Sequence, residues 1–437
     1  MYSVQEDNNN QQPQQLQQPL QLQSPPPLPP PSSSQQDLHR KKHSICSVAS
    51  SAMASSQGLK RTRKKDTIEM ILSRPPMIVK SSLSQLRYHI LVDGLKVPKD
   101  SEDGLCPYRP YVWSVLLRTP PQSSSEYIEL VNKGPCAVYT KIRNDTFRTL
   151  TTDVKFQQRV SENALIRVLN SFAWKQLITH RTSQLAAEET DRRMPTSSNI
   201  NSFNSSITSS NSNQNHNNSS SYFNQDFLYV QGMNVIVAPF LYTCKTEPQA
   251  FAMFETFLSR DCPLYIRPTL EGVHTGLMLM DACLEIIDPV LFDALRKKYL
   301  TAELYAFASV LTFSACTPPL SEVLVLWDFL FAYGPHLNIL FVIAQLNLIR
   351  GQLLESKSPI SLLRSFPPLR AKEIIKLGIS FVALLPKNLY DLLKRHPYDD
   401  SVHAIMKKNA SSAQNLQKFS KSSNDVGSLK RRPKEMM

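Results

Sequence analysis

Glycine is scarce in this sequence, 11 among 437 residues, although proline is frequent at 31. A β-rich fold needs glycine in its tight turns. With aromatic residues at only 8%, that scarcity argues against a sandwich or barrel. No alternating strand pattern and no internal repeat is found. No apolar run of 18 residues is free of charge, so a membrane-spanning helix is not expected. Residues Met1 to Asn10 have neither a basic nor an apolar segment, which argues against a secretory leader. The seven cysteines are scattered, odd in number and form no CxxC pair. That pattern fits reduced cytosolic thiols rather than a disulfide framework or a zinc site. The sequence also lacks GxxxxGK[ST] and GxGxxG, which excludes a nucleotide-cradling NTPase or kinase. There is no HExxH and no GxSxG, and His89, His180, His274 and His336 are far apart, so nothing points to a hydrolytic triad.

The charge is present but unevenly placed. The formal net charge is +13. Residues 1–65 hold eight Lys/Arg against three acids, and residues 407–437 hold eight against two. The tails therefore carry +5 and +6, which leaves +2 on 66–406. Such arms can contact acidic partners, a membrane surface or nucleic acid, or simply stay solvated. No aromatic residues interleave with them, so sequence-specific nucleic-acid recognition is not expected.

Residues 1–65 are rich in Gln, Pro and Ser, with a polyproline stretch from Pro25 to Pro31. Such composition cannot bury enough apolar surface to offset chain entropy, so a disordered tail is expected. From 66 to 406 the chain reads as one all-α domain. Apolar residues recur at helical spacing in Tyr108 to Leu117 and in Asn163 to Leu177. Thr246 and Gln249 resemble a capping box opening a helix that turns Ala250, Met253, Phe254, Phe257 and Leu258 inward. Glu303 to Phe313, Ser321 to Phe331 and Leu337 to Leu353 read as further helices. Pro318-Pro319, Gly334-Pro335 and Pro367-Pro368 separate the later ones. A Ser/Asn-rich stretch, 196–225, interrupts the domain and reads as a disordered insertion, which costs little because loop closure grows slowly with length. Residues 407–437 read as a second disordered tail.

Two short segments carry chemistry. In Ile142-Arg143-Asn144-Asp145-Thr146-Phe147-Arg148, Asp145 and Arg148 share a helical face at i, i+3. Asp145 could hold the Arg148 guanidinium in one orientation, although spacing alone favours a surface ion pair worth under about 1 kcal/mol. In Tyr229-Val230-Gln231-Gly232-Met233-Asn234, Gln231 beside Gly232 sits at a loop or helix start with little steric cover. Its amide could orient a water, and a plain helix-start residue is the simpler reading. Together, an arginine and a glutamine on a helical scaffold are the equipment for GTP hydrolysis supplied in trans. That reaction needs positive charge on the phosphate oxygens and an oriented water, and an arginine finger is worth roughly 10³–10⁵ in rate.

On these residues the sequence resembles the TBC domain, the GTPase-activating domain for Rab-type small GTPases. Its motifs IxxDxxR and YxQ stand in order as Ile142–Asp145–Arg148 and Tyr229–Gln231. Arg109 to Trp113 with Leu116-Leu117, and Leu326 to Gly334 around Trp327-Asp328, match two further family elements. The likeness runs from about residue 85 to 395. It implies that Arg148 is the arginine finger and that Gln231 orients the water. It implies that Asp145 fixes Arg148, while Tyr229 and Gly232 support the Gln231 loop. It implies no resident cofactor or metal, since GTP and Mg²⁺ arrive with a Rab/Ras-like small GTPase. The chain would thus contribute residues in trans rather than act as a stand-alone hydrolase.

Thr312 to Leu320, followed by Leu326 to Gly334, is similar to the fungal subfamily of the spindle-position checkpoint, which restrains mitotic exit or septation. That likeness implies a scaffold subunit forming a two-component activator, and a cytoplasmic location at the spindle pole body or cytoskeleton. Leu91-Val92-Asp93-Gly94-Leu95 stands where the family usually has a tryptophan, and Tyr305 to Phe313 lacks the tryptophan often found before the third motif. These departures bear on substrate preference. The competing reading is a non-catalytic scaffold of TBC type that docks a small GTPase or a checkpoint partner.

Overall fold

Helices are the only regular secondary structure among the residues described by this computed structural model, which are 67–73, 79–99, 101, 104–121, 123–193 and 228–409. The N-terminal tail, the Ser/Asn insertion and all but three residues of the C-terminal tail lie outside them. Residues 407–409 close a last helix over 401–409. The helices that frame the site are α1 (Val79–Val92), α2 (Arg109–Leu116), α3 (Ser124–Asn132), α4 (Tyr139–Thr146), α5 (Glu162–Arg193) and α6 (Met233–Thr243). They continue with α7 (Glu247–Thr256), α8 (Glu271–Ile287), α9 (Leu320–Tyr333), α10 (Asn338–Leu348), α11 (Ala371–Val382) and α12 (Lys387–Arg395).

Local chemistry sets several boundaries. Ser123 caps α3 by accepting from the Ser125 amide at 3.2 Å, and Asp153 caps the short helix Val154–Arg159 by accepting from Phe156 at 2.9 Å. These oxygens satisfy amides that have no partner within the helix. Gly334, at φ +124, ends α9, a conformation that side chains with a Cβ avoid.

The centre is built from helices that are apolar on every side. All residues of α6 from Ile236 to Thr243 are buried, as are those of α10 from Asn338 to Leu346. α6 packs against α5 and α7, while α10 packs against α8 and α11. An aromatic cluster joins the halves. Phe240 of α6 stands 5.7 Å from Trp113 and 5.3 Å from Trp327, and Phe257 stands 5.3 Å from Phe331. Edge-to-face rings at such spacing add to simple burial. Inside this cluster lies a buried ion pair. Arg109 donates to Asp328 from Nε at 2.9 Å and from Nη2 at 3.1 Å, and the Trp113 indole donates to the same carboxylate at 2.7 Å. The family elements Arg109 to Trp113 and Leu326 to Gly334 are therefore one bonded unit.

Four expectations need correction. Glu303 to Phe313 is two short helices, Ala302–Tyr305 and Phe307–Leu311, with the break at Ala306. Leu337 to Leu353 breaks at Ile349 into α10 and Arg350–Glu355. α5 runs on to Arg193, well past Leu177. Thr246 occupies the position before α7 as expected, yet its side chain makes no capping bond. The neighbouring Glu247 does the polar work there, accepting from Tyr127 at 2.8 Å and from Arg167 Nε at 2.9 Å. The five inward residues of that stretch are buried as expected, with Phe257 and Leu258 on a widened π turn.

Candidate functional site

α4 ends at Thr146, so Asp145 is in its last turn and Arg148 stands on the turn beyond it. The i, i+3 spacing still brings them together, and the Arg148 guanidinium donates to Asp145 Oδ1. The two ends of this pair differ. The Arg148 side chain is 54% exposed, whereas that of Asp145 is 9% exposed. The positive charge is presented outward on a carboxylate anchored within the protein.

The anchor is itself held from a distant segment. Tyr229 donates from its hydroxyl to the other carboxylate oxygen, Oδ2, at 2.9 Å. Burial, and after it the Asp145 charge, push the Tyr229 phenol well above its ordinary value, so it keeps the proton it donates. One carboxylate thus joins the arginine motif to the glutamine motif. Tyr229, named from the sequence as a support of the Gln231 loop, bonds Asp145 through its hydroxyl.

Asn234 supplies a second clamp that the sequence reading did not single out. Its side-chain amide donates to the Asp145 carbonyl at 3.3 Å and to Thr149 Oγ1 at 2.9 Å. Its Oδ1 accepts from the Gly232 amide at 3.2 Å. Thr149 Oγ1 donates to the Asp145 carbonyl at 3.0 Å. A buried amide with both ends used this way fixes two backbone segments in register. The available signal was Asn234 itself, a polar residue opening an otherwise apolar run.

Gln231 is exposed on the turn that leads into α6. Gly232 follows at φ +107, and a Cβ there would stand 2.9 Å from Leu311 Cδ2. Glycine is favoured here by the dihedral, and a Cβ would also press on the end of the Leu311 side chain. Arg148 and Gln231 line the same groove of about 580 Å³, whose apolar wall includes Val235, Leu270, Phe307 and Leu311. Phe147, next to Arg148, is exposed. All five residues named from the sequence, Asp145, Arg148, Tyr229, Gln231 and Gly232, are therefore gathered at one place. A fixed cation and a free amide at one groove, beside apolar surface, suit a protein partner that carries an anionic reacting group.

The chain is similar to known proteins over most of its length. The Rab-GTPase-TBC domain family matches residues 191–354. Cell division control protein 16 of Schizosaccharomyces pombe is 41% identical over 339 residues, which cover 78% of this chain and 96% of that protein. Mitotic check point protein BUB2 of Saccharomyces cerevisiae is 42% identical over 340 residues, 77% of this chain and 99% of that protein. A putative mitotic check point protein BUB2 of Dictyostelium discoideum is 35% identical over 333 residues, 74% of this chain and 77% of that protein.

Proposed function

The chain belongs to the TBC family of Rab GTPase-activating proteins, and on that premise we propose that Arg148 and Gln231 are the two groups it lends to a small GTPase. Its function is GTPase activation in the checkpoint that restrains mitotic exit or septation. The observation that carries the residue assignment is the Asp145 carboxylate, which bonds Arg148 on one oxygen and Tyr229 on the other.

The mechanism follows from that geometry. Phosphoryl transfer to water needs positioning and charge stabilisation more than covalent help. Arg148 is oriented from behind before any partner arrives, so little side-chain freedom remains to be lost in the transition state. Its exposed guanidinium meets the charge that develops on the transferred group. Gln231, held on a turn clamped by Gly232 and Asn234, orients the attacking water. GTP and Mg²⁺ come with the GTPase, and the apolar wall of the groove receives the GTPase surface around its nucleotide.

We further propose that a scaffold subunit completes the activator and that the complex works at the spindle pole body. The likeness to the checkpoint group supports this. The test is single-turnover GTP hydrolysis by a small GTPase of the mitotic-exit type, with and without that scaffold. Arg148→Ala is expected to lower the stimulated rate by about 10³-fold or more with unchanged unfolding. Equal stimulation by the variant would sink the residue assignment, and no stimulation by folded wild type would leave a docking protein without catalytic groups.

A further inference from the structure

A second cavity, of about 670 Å³, shares no residue with the finger groove. It lies between α1, the end of α9, the turn after α2, the π turn Phe257–Asp261 and the end of α12. Four cations line it, Arg87, Arg118, Arg260 and Lys394, against the single carboxylate of Asp261. Arg260 is already committed. It donates to both oxygens of Asp261 at 2.9 Å and to the carbonyls of Leu117 and Arg118.

Arg87, Arg118 and Lys394 have no carboxylate partner among the described residues. Arg87 Nε is buried with no hydrogen-bond partner at all. A buried guanidinium N–H without an acceptor is costly, and it calls for an oxyanion. Arg118 is held at φ 51, a strained backbone for a residue with a side chain. The grip of Arg260 on the Leu117 and Arg118 carbonyls keeps that turn in place. Strain of this kind persists where surrounding structure enforces it, and it gathers at ligand sites. The uncompensated charge is felt inside the cavity as well. His336 on its wall is pushed down to about 3, by burial first and then by His396 and Lys394.

The geometry points to a phosphorylated segment of a partner protein, seating a phosphoserine or phosphothreonine in this cavity. A phosphate monoester offers near-double negative charge and three acceptors, which match two guanidinium forks and one ammonium arriving from three elements. Leu116, Phe257 and Phe331 give the carbon stem of that residue an apolar wall. The tails of this chain cannot supply the group as they stand, because at +5 and +6 they repel the site. An anionic membrane fits the shape less well, because the cations line a concave cavity that admits one inserted side chain rather than a flat lipid surface.

The test uses the full chain and a degenerate phosphoserine/phosphothreonine peptide library, its unphosphorylated twin, and inorganic phosphate as a sequence-free probe. Arg118→Gln and Lys394→Gln are the variants, since both residues are exposed and neither substitution touches the core. Phosphopeptides are expected to bind in a salt-sensitive manner, phosphate to raise the melting temperature, and each variant to weaken peptide binding about tenfold. GTPase stimulation by both variants should equal wild type, which separates this site from the finger groove. Equal retention of both libraries, equal binding by the variants, or no response to phosphate and phosphopeptide alike would overturn the proposal. So would preferential binding to vesicles containing phosphoinositides.

Discussion

Replacing Gly232 by alanine places a methyl group where the structure has no room for one. The backbone at φ +107 lies beyond the left-handed region that other residues tolerate, at a cost of about 1–3 kcal/mol. The new Cβ would also stand 2.9 Å from Leu311 Cδ2, inside the normal contact distance of about 3.5–4 Å. Leu311 can yield by leaving its rotamer, for about another 0.5–1.5 kcal/mol. The alanine variant therefore has two outcomes. If the turn stays in place, the protein loses about 2–4 kcal/mol of stability by these terms. If the turn relaxes instead, Gln231 moves and the stimulated rate falls by about 10²–10³, as when one positioned hydrogen-bonding group is removed. Chemical unfolding and single-turnover hydrolysis on the same preparation distinguish the two. Adding Leu311→Ala separates the causes further, because it restores clearance without changing the dihedral. A Gly232→Ala protein that unfolds like wild type and stimulates hydrolysis fully would refute the account of this turn.

Asp328→Asn keeps the shape of the buried pair but leaves the Arg109 charge uncompensated. With both side chains 3% exposed, a loss of about 3–5 kcal/mol is expected in denaturant titration. A loss below 1 kcal/mol would show that the pair is not buried as described. Acid sensitivity should trace to histidines. His396 donates from Nδ1 to the Leu393 carbonyl at 2.6 Å and pairs with the Tyr265 hydroxyl at 2.8 Å, so it is neutral when folded. Burial lowers it to about 4, and His336 is lowered to about 3. Both lie below the unfolded value of about 6.5, so their stability is complete above that pH and is lost as pH falls towards the folded values. Between pH 6.5 and 5 the two together should cost about 3 kcal/mol. His396→Gln should roughly halve the slope, and an unfolding free energy that stays level over this range would contradict the assignment.

The all-α class and most helix breaks could be read from the sequence because glycine and proline mark them chemically. Pro318-Pro319 and Gly334-Pro335 do separate helices. The break at Ala306 could not be read. Tyr305, Ala306 and Phe307 run through it without a glycine or proline to mark a change of direction. The end of α5 was misplaced for a different reason. Beyond Leu177 its residues turn exposed while the helix continues, so the apolar period stops before the hydrogen bonds do. The five residues named from the sequence could be picked out because they fall in two short motifs. Their joining could not be, because the bond from Tyr229 to Asp145 spans 84 positions and the Asn234 clamp spans 85 to 89. Pattern along the chain carries no information about contacts at that range.

The ion pair of Arg109 with Asp328 has a consequence for how the protein is made. Its partners are separated by 219 positions, and the Trp113 indole waits 215 for the same acceptor. At a synthesis rate of about 5–20 residues per second, α2 emerges roughly 10–40 s before α9 exists. During that interval a guanidinium and an indole destined for the interior have no mate, and the aromatic cluster around them is incomplete. The nascent N-terminal third is thus a natural client for chaperones, and ribosome-bound chains that stop short of residue 328 should be far more protease-sensitive than chains that include it.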